Sequence, residues 1–196
     1  MISKKSIEKE LFPDMITAII EKLQRKKQRM ILEKHPQVSV GKSLKLGINN
    51  HFIVYPKIKN FILGDHVSLR NYIHIIVQNG AILEIGNNVF LNNQCSITCL
   101  DKISIGENTL FGENVKLYDH NHSYQRNENN LKISHSEFTT APISIGKNCW
   151  LGSNVVILKG VEIGDNCIIG AGCVIHKNVP ANSTVFNNQE QILKTN

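Results

Sequence analysis

From residue 145 onward an aliphatic side chain recurs at every sixth position: Ile145, Leu151, Ile157, Ile163, Ile169 and Ile175. Gly follows it in four of these six blocks, and Cys149, Val155, Val161, Cys167, Cys173 and Val179 fill the fifth place of each. A helix repeats every 3.6 residues and a half-buried strand every two, so a period of six is neither. It predicts a solenoid in which each block is a short strand and a corner. The opening aliphatic residues would share one core, three blocks would close a triangular coil, and coils would stack about 4.8 Å apart through parallel pairing. The Gly, Asn and Asp residues are expected near the corners, where they tolerate left-handed backbone.

The sixes continue upstream with slips of phase. Leu46, Phe52 and Ile58 keep the spacing, as do Leu63, Leu69 and Ile75, then Ile85, Leu91 and Ile97, then Ile105, Phe111 and Leu117. The slips, at Gln78-Asn-Gly-Ala and Asp101-Lys-Ile-Ser, read as corners lengthened by a residue or two. The reading is mainly β: a parallel β-helix of about six coils over residues 37–186.

Residues 1–36 follow another rhythm. Pro13 is suited to a first helical position with Asp14 in the first turn, and Ile16, Ile19, Ile20 and Leu23 then fall on one helical face. That face is expected to cover the first coil. Lys22, Arg25, Lys26, Lys27 and Arg29 form a basic cluster suited to a peripheral membrane contact, while the segment has no nucleic-acid motif. The chain of 196 residues carries a net charge of +6, a mild basicity compatible with a phosphorylated small molecule. Five Cys with no secretory leader argue against a disulfide framework and for a cytoplasmic location, with the thiols as packing residues. Residues 187–196 read as a polar tail.

Residues 118–142 break the register. The excursion opens with Tyr118-Asp-His-Asn-His-Ser-Tyr, and its remainder is polar. A histidine here is suited to take a proton from a hydroxyl, since imidazole titrates near neutrality. His120 and His122 alone are too few for a metal site, so no metal is expected. No nucleophile elbow, phosphate loop or dinucleotide fingerprint is present.

The hexad pattern resembles the hexapeptide-repeat, left-handed parallel β-helix family. The stretch Tyr118 to Ser123, followed by Ala141-Pro-Ile-Ser-Ile-Gly-Lys-Asn-Cys-Trp and Ile169-Gly-Ala-Gly-Cys-Val, is similar to the maltose, galactoside and polysaccharide O-acetyltransferases of that family. The resemblance implies a homotrimer with acetyl-coenzyme A between subunits and a loop histidine as general base. An ungapped alignment puts the base at His122, and a two-residue gap puts it at His120. It implies acceptor contacts from Asn92 and Trp150, with Tyr118 and Asp119 beside them. Coenzyme contacts are implied for Trp150, Ser153, Gly170, Ala171, His176 and Lys177, with Lys194 as a further candidate.

The chain departs from the family pattern where an acidic acceptor contact is usual, since Cys99 and Leu100 stand there, and in having His176 in place of Thr. The expected activity is O-acetylation of a sugar hydroxyl; N-acetylation of an amino or nucleotide sugar, a zinc-dependent carbonic anhydrase and a non-catalytic scaffold are its alternatives.

Overall fold

A computed structural model describes the backbone of residues 4–188 and 194, and side chains from Asp14 onward. The hexads build a parallel β-solenoid with three faces. One face stacks six strands from Val38–Val40 to Glu162–Ile163, a second stacks seven from Lys45–Leu46 to Thr184–Val185, and the third stacks six from His51–Val54 to Val174–Ile175. Registers follow the repeat: Ile145 lies beside Ile163, Leu151 beside Ile169 and Ile157 beside Ile175. The block-opening residues from Phe52 to Ile175 are buried in one core, as are all six fifth-place residues. Leu46, in the first coil, is only partly buried against it.

Two residue types make the corners, for different reasons. Left-handed backbone is taken mainly by asparagines, among them Asn88, Asn108, Asn148, Asn166 and Asn182 with φ between 56° and 60°. Their side-chain amides form a ladder up the prism, each Nδ2 donating to the next Oδ1 at 3.0–3.2 Å. The block glycines serve close approach instead. A Cβ on Gly146 would lie 2.6 Å from the Asp165 nitrogen and 2.5 Å from its Oδ1. The left-handed role expected of these glycines is thus corrected. It holds at Gly160 and Gly172, with φ of +78° and +74°, and at Gly80 in the lengthened corner at Gln78-Asn-Gly-Ala, where φ is +81°.

The helix runs Lys4–Glu33, so Pro13 stands inside it and not at its first turn. It lies against the first coil through Gln28 and Leu32, both buried, while Arg25 Nε donates to the Leu46 carbonyl at 3.2 Å. Ile16, Ile19, Ile20 and Leu23, expected to cover the prism, are exposed. The helix turns another side to the coil because Leu32, near its end, sits in the core cluster and sets its rotation.

The excursion is not an irregular loop. His120–Asn127 and Asn130–Thr140 pair antiparallel as a two-stranded arm with a shift of register between His122 and Tyr124. An arm with both faces in solvent needs no hydrophobic period, which is why its strands do not show in the pattern. Of the polar tail only residues 187, 188 and 194 are described, so the reading of the rest of it lies outside the described residues.

Candidate active site

Asp119 anchors the root of the arm. Its side chain is 0% exposed, and its carboxylate accepts N–H bonds from Leu100 at 2.9 and 3.0 Å and from Asp101 at 2.8 Å. Its own carbonyl accepts the Ala141 N–H at 2.9 Å, tying the arm's two ends together. A buried carboxylate is costly unless its lone pairs are filled, and here main-chain donors fill them. The expected acceptor contact from Asp119 is corrected: the group faces inward to the preceding coil. Burial, reinforced by this carboxylate, pushes the Cys99 thiol far above its ordinary range.

The two imidazoles are held differently. His120 Nδ1 lies 3.2 Å from Asp119 Oδ1, so its neutral form donates there and keeps its lone pair on Nε2. His122 Nδ1 lies 2.9 Å from the Ser134 carbonyl oxygen on the opposite strand. A carbonyl only accepts, so the hydrogen sits on Nδ1 and Nε2 carries the lone pair. The Phe138 ring packs between them, 5.4 Å from His120 edge-on and 4.7 Å from His122. Tyr118 meets His120 edge-on at 6.2 Å from the solenoid side.

A cleft of about 800 Å³ opens beside His122, lined by Ser123, Tyr124, Gln125, Glu137, Thr139 and Lys159 among others. Lys159 Nζ donates to the Thr139 hydroxyl at 2.7 Å and to its carbonyl at 3.3 Å, bracing the arm against the solenoid. Lys132 and Lys159 both line this mouth. Nothing in the hexad register marks Lys159, because it is forty residues of chain away from the coil that the arm leaves, and only stacking brings the two together.

Trp150, Ser153, Gly170 and Ala171 lie elsewhere. Trp150 stands out 54% exposed in the seven-stranded face, in register with Leu110 and Ile168. Ser153 and Ala171 follow at the next corner, where Ser153 Oγ accepts the Glu113 N–H at 3.2 Å. Asn92 shares the corner column of the second face, and its Oδ1 accepts the Asn93 N–H at 2.9 Å. His176, Lys177 and Lys194 are exposed. None of these residues lines the His122 cleft. Among the described residues no cluster of three or more His, Cys, Asp or Glu side chains is placed to hold a metal ion, so the zinc reading lacks its third ligand within one chain.

Comparison with known proteins agrees with the architecture. A family profile described as the hexapeptide repeat of succinyl-transferase matches residues 142–177. Nodulation protein L of Rhizobium leguminosarum is 41% identical over 115 residues, which cover 58% of this chain and 57% of that protein. The galactoside O-acetyltransferase of Escherichia coli is 31% identical over 156 residues, covering 78% of this chain and 68% of that enzyme. The chain spans 43% to 60% of the length of several other curated relatives. Among solved structures, a hexapeptide-repeat acetyltransferase of Vibrio cholerae complexed with acetyl-coenzyme A is 29% identical. It superposes with a TM-score of 0.54 over 62% of this chain and 63% of that one.

Proposed function

Because the chain belongs to the hexapeptide-repeat acetyltransferases, we propose that it transfers the acetyl group of acetyl-coenzyme A to a sugar hydroxyl, with His122 as general base. The observation that carries this is the His122–Ser134 hydrogen bond, which leaves the Nε2 lone pair free beside an open polar cleft. A hydroxyl is a poor nucleophile until a base takes its proton, an assistance typically worth about 10²–10⁴-fold. The acceptor oxygen attacks the thioester carbonyl carbon as its proton passes to Nε2. The tetrahedral intermediate then expels the coenzyme as thiolate, which takes the proton back from the imidazolium. A main-chain N–H is proposed to meet the oxyanion.

The coenzyme is assigned to the corner of Ser153, Gly170 and Ala171, with Trp150 walling the thioester end. Asn92 is assigned to the acceptor, and His176, Lys177 and Lys194 to the nucleotide end. These positions stand apart from the His122 cleft on a single chain. A homotrimer that sets one chain's arm against a neighbour's Trp150 face would unite them, and the exposed stripe of Leu110, Trp150 and Ile168 suits such a contact. The acceptor class, a glycan or small sugar, follows the galactoside enzyme's name and the cleft's hydroxyl and amide lining.

Thiol release from acetyl-coenzyme A across matched sets of neutral sugars and amino sugars tests the reading. Turnover with hydroxyl acceptors supports it, turnover confined to amines replaces O- with N-acetylation, and no turnover with any acceptor defeats it. Sedimentation of a monomer at micromolar concentration would defeat the trimer.

A further inference from the structure

We propose that the outward face of the N-terminal helix docks this protein on an anionic lipid surface. The helix Lys4–Glu33 is about 45 Å long at 1.5 Å per residue. Gln28 and Leu32 hold its second half to the first coil. On another side Met15, Ile16, Ile19, Ile20 and Leu23 are 46–60% exposed, and Met30 and Ile31 extend the stripe at 41–42%. The spacing of three and four keeps them in one line along the helix.

Charge decides what covers that line. Between residues 14 and 34 the carboxylates are Asp14, Glu21 and Glu33. Glu21 pairs with Arg25 at 2.7 Å and Glu33 with Arg29 at 2.6 Å. Lys22, Lys26, Lys27 and Lys34 are exposed and form no ion pair among the described residues. Two copies of the helix packed by their apolar stripes would bring these ammonium groups together, with Glu21 and Glu33 already engaged by arginines. A surface of anionic headgroups supplies the missing charge, while the stripe enters the boundary between headgroups and acyl chains. Lys27, which falls within the stripe, extends its aliphatic stem along it and lifts the ammonium to the headgroups.

The test is co-sedimentation of the full chain with vesicles of phosphatidylcholine alone or mixed with phosphatidylglycerol, in low and high salt. The expected result is binding to the mixed vesicles only, weakened by salt. Joint replacement Lys22→Gln, Lys26→Gln and Lys27→Gln should lower the affinity by about a hundred-fold. Ile16→Ser, Ile20→Ser and Leu23→Ser together should abolish binding, with circular dichroism unchanged. No binding to either vesicle, or equal binding to both, overturns the proposal. So does an apolar variant that lowers the oligomeric state by sedimentation velocity, which would assign the stripe to a second copy.

Discussion

His122 and Ser134 face each other across the arm, with the imidazole Nδ1 donating to the Ser134 carbonyl oxygen at 2.9 Å. The bond lies where the pairing of the two strands shifts register, between His122 and Tyr124. The irregularity frees a main-chain acceptor that a continuous ladder would have used, and the ring takes it. The orientation of His122 is therefore a property of the arm's pairing.

With His122 as the proposed base, His122→Ala should lower kcat by at least about 10²-fold with little change in the KM for acetyl-coenzyme A, because a general base acts on the proton in flight. His120→Ala should cost less, since that ring is tied back to Asp119. Steady-state kinetics of both variants checks this. A reversal of the two effects would move the base to His120.

Asp119→Asn should destabilise the fold by about 3 kcal/mol, measured by urea unfolding, because an amide NH₂ would face buried main-chain donors. Activity should also fall as the root of the arm loosens. The Cys99 thiol, held up by burial and then by the Asp119 charge, should become more acidic in the variant. Its ionisation is followed by ultraviolet absorbance.

Burial raises the Cys95 thiol from its ordinary 9.0 to about 11. The unfolded chain releases this proton first, so the stabilisation is complete below pH 9.0 and is lost as pH rises toward about 11. That difference corresponds to about 2–3 kcal/mol across the window. Unfolding midpoints of wild type and Cys95→Ala should converge as pH rises through it. Native protein should also react only slowly with a thiol reagent near pH 8, since all five thiols are buried.

Gly146→Ala should cost about 2 kcal/mol, because the new methyl would meet the main chain of the following coil and the coils cannot separate without breaking their ladder. Gly80→Asn should be close to neutral, since nothing lies within 4 Å of its Cβ position and asparagine tolerates a φ of +81°. Thermal melts of the two variants compare the two uses of glycine directly.

The core was legible residue by residue. Each block-opening apolar residue from Phe52 to Ile175 is buried, because in a solenoid every coil packs on the coils beside it in sequence. The helix was legible as a helix, but its buried side was not. Ile16, Ile19, Ile20 and Leu23 form the stronger apolar pattern, yet Gln28 and Leu32 make the contact. A periodic stripe states which residues share a side and not what that side meets.

By itself, the sequence determined the coil, its register and its core, because a period of six forces the same short-range solution at every turn. Tertiary structure decided the chemistry. The Asp119 carboxylate finds Leu100 and Asp101 in the coil before it, and Lys159 finds Thr139 only because a later coil stacks beneath the arm. His122 owes its free Nε2 to Ser134, a partner set by strand pairing. Such contacts join residues 12 to 20 positions apart that share no period, so no reading of the repeat could have placed them.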